Sequence, residues 1–192
     1  PDFCNKAEAG KTEEIDYCVG CNQGCYDGFE SKDSPCITCL RNPAVGREKE
    51  CELIPAEKPE TVLIAGGGIG GLEAAIILKK RGHNPILCEA TDTLGGQFLT
   101  AGEAPRKAEM KAAVLSMAEK AKRLGVDIRM NTKVTPELIA EIKRIEAEKA
   151  AAAAKAAAEG KTYTDNPYTG GAFTWPCPSS TKVTSDYGSR VS

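Results

Sequence analysis

Residues 61–90 read TVLIAGGGIGGLEAAIILKKRGHNPILCEA, and this stretch decides the fold. An aliphatic run predicts a buried strand, glycines follow it, and apolar residues at helical spacing predict a helix. The same alternation continues to about residue 130. The predicted strands and helices are Thr61–Ala65, Gly71–Arg81, Asn84–Glu89, Lys107–Leu124 and Val126–Met130. This β-α-β-α-β order predicts an α/β fold with parallel strands and right-handed, doubly wound connections.

The motif AGGGIGG at residues 65–71 joins the first predicted strand to the first helix. Read as G-x-G-x-x-G, it uses Gly66 for the tight turn, Gly68 for close approach of a pyrophosphate and Gly71 for packing of helix on strand. The helix N-terminus then offers free N–H groups to phosphates. Glu89 follows at the end of the second strand, where a carboxylate accepts hydrogen bonds from ribose hydroxyls. The motif predicts a dinucleotide site, and a glycine-rich turn without a ligand is the alternative.

Cysteines dominate the first 39 residues, which hold six of the nine in the chain. Because the nucleotide motif belongs to a reducing compartment, we expect these thiols to bind metal and not to form a disulfide framework. CVGCNQGC places Cys18, Cys21 and Cys25 in a C-x2-C-x3-C pattern, and three thiolates this close can bind one face of an iron–sulfur cubane. Glycines at positions 20 and 24 let the backbone turn around it.

The fourth thiolate has two candidates, Cys36 and Cys39, in PCITCLRNP. A second metal also fits part of this pattern. Without Cys25, the remaining four cysteines form C-x2-C-x14-C-x2-C, which is close to the spacing of a zinc ribbon.

The context of these cysteines resembles a known family. CxGCNQGC followed by CxxNPxxGRE is similar to the iron–sulfur flavoenzymes with an old-yellow-enzyme-like barrel, which include 2,4-dienoyl-CoA reductase, 2-enoate reductase, trimethylamine dehydrogenase and certain NADH oxidases. The resemblance implies a 4Fe-4S cluster whose fourth ligand is the cysteine before x-x-Asn-Pro. That cysteine is Cys39 here, although its distance from Cys25 is longer than the family usually has.

The same resemblance extends to LGGQF at residues 94–98. It implies that Gly95, Gly96 and Gln97 contact FAD. In the family, electrons pass from NAD(P)H to FAD, through the cluster, to an FMN in an N-terminal barrel, and then to an enoate- or enoyl-CoA-like substrate. We therefore expect the barrel upstream of this chain, and the NAD(P)H domain with the later FAD strands downstream of it.

Composition divides the chain into three predicted parts. Residues 1–56 form an iron–sulfur segment, residues 57–143 an incomplete FAD/NAD(P)-binding domain, and residues 144–192 a tail of unrelated origin. The tail opens with RIEAEKAAAAAKAAAEG, an alanine-rich helix without an apolar stripe, and becomes rich in Ser, Thr, Gly and Pro, with one weak strand candidate at Thr181–Thr184. We expect the join near Lys143–Arg144 to be a fusion or assembly artefact.

The end of the tail, GGAFTWPCPSSTKVTSDYGSR, resembles the start of a lysostaphin-like zinc peptidoglycan peptidase. The zinc site of those enzymes needs histidines, and no histidine follows His83. We expect no hydrolysis from it, and the chain as a whole offers no predicted catalytic residue.

Bulk properties limit the classes of function. The net charge of −2 argues against nucleic-acid partners and against binding to anionic membranes, and no apolar run is long enough to span a bilayer. Three hypotheses follow. The first is a cytoplasmic fragment of an NAD(P)H-dependent oxidoreductase, the second a small stand-alone electron-transfer module, and the third a zinc-stabilised binding domain without a redox role.

Overall fold

The computed structural model describes residues 3–32 and 36–158, which form helices around a three-stranded parallel sheet. The strands are β1 (Thr61–Ala65), β2 (Asn84–Cys88) and β3 (Asp127–Arg129). The helices are α1 (Phe3–Glu8), α2 (Tyr26–Glu30), α3 (Ile69–Lys80), α4 (Gln97–Ala101), α5 (Ala108–Arg123) and α6 (Pro136–Ala158), with a 3-10 turn at Thr12–Glu14.

The sheet confirms the predicted α/β class and the parallel pairing. Strand β2 lies between β1 and β3, with Ile64 opposite Leu87 and Leu87 opposite Ile128. The elements predicted between residues 61 and 130 are all present with small shifts at their ends. Helix α3 begins at Ile69, two residues earlier than predicted, with Gly68 as its N-cap residue. Helix α4 was not predicted, since five residues are too few to show a helical period.

One face of the sheet carries the larger core. Leu72 and Ile76 of α3 and Val114 of α5 are buried together with Leu87 of β2. The apolar spacing that predicted α3 and α5 therefore corresponds to the stripe that each helix buries against the strands.

The opposite face of the sheet is covered by the beginning of α6. Ile86 and Cys88 alternate with Leu87 along β2, so their side chains point to the other face, where they pack with Ile142 of α6. Burial raises the pKa of the Cys88 thiol above its usual value, an effect that the nearby Arg129 opposes. Cys88 is thus a core residue, as an isolated cysteine on a strand predicts.

Strand β1 differs from its prediction. Thr61–Ala65 forms the strand in the expected place, but its residues are half-buried or exposed, whereas those of β2 from Pro85 onward are fully buried. The reason is position: β2 has a paired strand on both sides, and β1 is an edge of the described sheet. An apolar run alone does not distinguish a central strand from an edge strand.

Two compact units divide the chain, Pro1–Arg144 and Ile145–Ser192. Within the first unit, α1 and α2 are short and contain no buried residue. The strand candidate at Thr181–Thr184 and the peptidase-like stretch lie outside the described residues. None of the described helices combines the length and the apolar character that a bilayer crossing requires.

Candidate functional site

The glycine-rich turn between β1 and α3 is shaped by two close approaches of the backbone. Gly66 has a φ of +99°, which favours glycine, and its N–H donates to the Cys88 carbonyl at 2.8 Å. A Cβ on Gly71 would overlap the Gly66 carbonyl oxygen. The first and third glycines of the motif are therefore required by the protein itself, as the motif predicts.

Gly68, the second glycine of the motif, has neither the positive φ of Gly66 nor the close approach found at Gly71. Its φ is −71°, and a Cβ built on it would meet no protein atom within 4 Å. It is the N-cap residue of α3 and makes no side-chain cap, so the first turn of the helix directs backbone N–H groups toward the space beside it. No contact within the described chain requires glycine at this position.

Glu89 extends from the end of β2 toward the same turn. Its Oε2 accepts a hydrogen bond of 2.6 Å from the N–H of Gly67, and its Oε1 accepts from the N–H and the hydroxyl of Thr91, each at 2.9 Å. Partial burial works to raise the pKa of Glu89, but the hydrogen bonds from Gly67 and Thr91 together hold it below its usual value. The carboxylate stays charged at neutral pH and keeps lone pairs for a further donor.

The LGGQF loop closes against this turn. The Gly95 N–H donates to the Gly67 carbonyl at 2.8 Å, and Gly68 and Gly95 pair as a parallel bridge. Both glycines of the loop have positive φ, +119° at Gly95 and +52° at Gly96. A Cβ on Gly96 would come within 3.2 Å of the Gly68 Cα. The structure therefore brings the predicted glycines of the two loops into contact.

Two further residues border this region. Gln97, predicted to contact FAD, begins α4 and is exposed. Gly67 was not predicted, yet its N–H binds Glu89, and a Cβ on it would overlap Leu94. Three consecutive glycines, where the motif needs only two, were the signal that could have indicated it.

The predicted metal ligands lie in a separate segment, built from two chain stretches that run alongside each other. The N–H of Thr38 donates to the Gly24 carbonyl at 3.0 Å, which joins the neighbours of Cys39 and Cys25. Gly20 and Gly24 have φ values of +63° and +80°, as the predicted tight turns require. The N–H of Gly20 also donates to the Cys18 sulfur at 3.2 Å.

The thiols themselves do not converge. Among residues 3–32 and 36–158, no group of three or more histidine, cysteine or acidic side chains is placed to hold a metal ion. All four predicted ligands, Cys18, Cys21, Cys25 and Cys39, are free. In its chemistry the donor set fits an iron–sulfur cluster, because thiolates are the ligands of such clusters. Cys39 is half-buried and Cys36 is exposed.

Comparisons with known proteins address the same region. Residues 64–124 match the family model described as "NAD(P)-binding Rossmann-like domain". The chain is 36% identical over 139 residues to a bilirubin reductase of Mediterraneibacter gnavus (72% of this chain, 21% of that protein). It is 36% identical over 145 residues to an NADH oxidase of Thermoanaerobacter brockii (74% and 22%).

A solved structure agrees with these relatives. The 2-naphthoyl-CoA reductase complex matches with a TM-score of 0.61 and 29% identity, over 68% of this chain and 20% of that one. The matched region belongs to the flavoprotein reductase family that these proteins represent. The family expected from the cysteine and glycine motifs is thereby confirmed. The chain spans about a fifth of the length of the curated relatives that it matches.

Proposed function

We propose that residues 57–143 are the opening half of an FAD-binding domain and that the glycine-rich turn holds the pyrophosphate of FAD. The observation that carries this proposal is the open space at Gly68, beside the N-terminus of α3 and the LGGQF loop. A helix N-terminus stabilises anionic phosphate oxygens through its free N–H groups and its dipole. Glu89, charged and held across the turn by Gly67, is the acceptor for the ribose hydroxyls.

The experiment for this site compares two glycines of the same turn. Gly68→Val places a side chain where the pyrophosphate would lie, and Gly70→Val adds the same side chain at a helical position whose Cβ also meets no protein atom within 4 Å. Titration of the full-length chain with FAD, ADP and NADH measures the affinity of each variant. We expect the Gly68 variant to lose at least about tenfold in affinity for FAD and ADP, and the Gly70 variant to lose less.

The same titration tests a competing ligand and includes the outcome that would refute the proposal. The matched family model is described as NAD(P)-binding, so NADH is the second candidate. Tighter binding of NADH than of FAD would assign the turn to the pyridine nucleotide. Equal losses in the two variants would show that Gly68 has no special place in the site. We expect FAD to bind weakly, because the flavin ring of a doubly wound domain lies against strands beyond the first three.

We further propose that residues 1–56 hold a 4Fe-4S cluster through Cys18, Cys21, Cys25 and Cys39. The support is the C-x2-C-x3-C spacing, the positive φ angles at Gly20 and Gly24, and the hydrogen bond between Thr38 and Gly24. A bound cluster supplies one-electron transfer. Iron and sulfide analysis after anaerobic reconstitution tests the assignment. Visible absorbance separates it from a zinc-stabilised domain, which would be colourless.

In the complete protein we propose an NAD(P)H-dependent oxidoreductase that carries electrons from FAD, by way of the cysteine segment, to an FMN domain acting on an enoate- or enoyl-CoA-like substrate. This is the arrangement that the family resemblance implies. The proposal places the protein in the cytoplasm, where thiols remain reduced and NAD(P)H is supplied. Residues 144–192 have no part in this function and form a tail of separate origin.

A further inference from the structure

Two charged residues enclose the cysteine motif at its ends. Asp16 lies two residues before Cys18, and Arg41 lies two residues after Cys39. The Arg41 Nη2 donates to the Asp16 Oδ1 at 3.2 Å. This ion pair joins the chain before Cys18 to the chain after Cys39, and the first and last predicted ligands stand just inside it. We call residues 16–32 and 36–41 the cysteine loop.

Arg41 is held from several sides. Its side chain is only 8% exposed, its Nη1 donates to the Ala113 carbonyl of α5 at 3.1 Å, and its guanidinium carbon lies 5.6 Å from the centre of the Tyr17 ring. The Arg41 Nε is buried without a hydrogen-bond partner in the described part of the chain. Burial of a guanidinium costs free energy of desolvation, which its hydrogen bonds must offset. These hydrogen bonds, made in the fixed geometry of the guanidinium, hold Arg41 in one position.

Asp16 attaches the loop to the same helix. Its Oδ2 accepts a hydrogen bond of 3.1 Å from the Nζ of Lys120, two turns beyond Ala113 on α5. Helix α5 also contacts the proposed flavin loop, because a Cβ on Gly95 would come within 3.0 Å of the Val114 side chain. One helix therefore holds the cysteine loop through the Ala113 carbonyl and the Lys120 ammonium group, and contacts the nucleotide loop through Val114.

We infer that Asp16 and Arg41 are positioning residues: their ion pair closes the cysteine loop and fixes it against α5, at a constant place relative to the nucleotide turn. The role of the loop as a cluster site rests on the proposed function. The closure itself consists of contacts between protein atoms. The two can therefore be tested separately.

Hydrogen exchange on the full-length, metal-free chain tests the closure. The reporter is the Thr38 amide, which bonds the Gly24 carbonyl inside the loop. Arg41→Gln and Asp16→Asn should each lower its protection about tenfold, and the double variant should lower it by less than the product of the two single effects, because the two residues share one ion pair. Arg47→Gln is the matched control, since Arg47 is exposed and donates to Pro43 within its own turn. Unchanged protection in Arg41→Gln, within about twofold, would overturn the inference.

Milder variants cover the case in which Arg41→Gln does not fold. Lys120→Gln removes only the more exposed half of the contact and should lower the protection of Thr38 about two- to threefold, whereas Lys122→Gln, whose ion pair with Glu119 is local, should not change it. Arg41→Lys keeps the charge but loses the forked geometry, and should fall between the native chain and Arg41→Gln.

A spectroscopic readout joins the closure to the cluster. After anaerobic reconstitution, Arg41→Gln should retain iron but broaden the electron paramagnetic resonance signal of the reduced cluster, and Arg41→Lys should restore part of the native line shape. Native line shape in Arg41→Gln would show that the closure does not position the ligands. A native chain that takes up no iron would refute the cluster, and the exchange of Thr38 would still decide the closure.

Discussion

The glycine-rich turn and the cysteine segment are both loops with several predicted ligands, and the structure organises them differently. In the turn, Gly67, Glu89 and Gly95 are joined by hydrogen bonds of 2.6 and 2.8 Å. In the cysteine segment, the described thiols form no group that could hold a metal. A site made of backbone on regular elements takes its geometry from the core, whereas a cluster site takes much of its geometry from the metal.

The largest expected effect is a difference between Cys39 and Cys36 of the cysteine segment. Cys39→Ala should abolish the reconstituted 4Fe-4S cluster, and Cys36→Ala should retain it, because only Cys39 stands before x-x-Asn-Pro, where the family resemblance implies the fourth ligand, and it adjoins the bond between Thr38 and Gly24. Iron content and visible absorbance after anaerobic reconstitution measure both. Removal of Cys18, Cys21 or Cys25 should have the same effect as removal of Cys39.

Two outcomes would contradict this assignment. Loss of the cluster in Cys36→Ala with retention in Cys39→Ala would exchange their roles. A colourless protein with one zinc, sensitive to Cys36 and Cys39 alike but not to Cys25, would favour the zinc-ribbon spacing.

The second effect concerns the packing of the turn. Gly71→Ala should lower the free energy of unfolding by about 2–3 kcal/mol, because its Cβ would overlap the Gly66 carbonyl and the helix must shift away from the strand. Gly70→Ala, one residue earlier with open space around its Cβ, should be neutral or slightly stabilising. Urea unfolding of the two variants measures the difference. Equal stabilities would mean that the close approach in the turn is not maintained in solution.

The third effect is smaller and depends on pH. Glu89→Gln should lower the free energy of unfolding by about 1–2 kcal/mol at pH 7, because an amide nitrogen replaces one of the oxygens that accept from Gly67 and Thr91. The folded-state pKa of Glu89 lies below its usual value, so this stabilisation is present above the ordinary carboxyl pKa and is lost as the pH falls through the folded one.

Urea unfolding at several pH values checks the sign of this effect. The curves of native and Glu89→Gln proteins should approach each other on acidification below about pH 4. Glu103→Gln, an exposed carboxylate paired with Lys111, is the control and should leave stability within about 0.5 kcal/mol at every pH. A stability difference that grows on acidification would contradict the assigned pKa direction.

Features that depend on the local sequence pattern could be predicted. The structural roles of Gly66 and Gly71 could be predicted because the strand–turn–helix fixes the place of each glycine, and the role of Gly68 stays a prediction. The half-burial of β1 was not predicted, since burial depends on which strands pair beside it. The ion pair of Asp16 and Arg41 was also missed, because the two residues are 25 positions apart and only folding joins them.

The smallest expected effect concerns α6, within which a join between unrelated parts was predicted near Lys143–Arg144. The structure has one helix from Pro136 to Ala158, and Ile142 is its only buried residue. Beyond Ile142 the alanine-rich segment of the helix contains no buried residue and is helical by propensity. Deletion of residues 145–192 should therefore change the free energy of unfolding by less than about 0.5 kcal/mol.

Limited trypsin digestion gives an independent measure of the same boundary. We expect early cleavage between Lys149 and Lys161 and slow cleavage between Thr61 and Ile128, where the sheet and its two cores lie. Lys120 and Lys122 of α5 are the internal controls, since they lie within that protected range. A deletion that costs more than about 2 kcal/mol would show that the tail is part of the fold, because a loss of that size requires buried contacts. The proposed boundary after residue 143 would then be wrong.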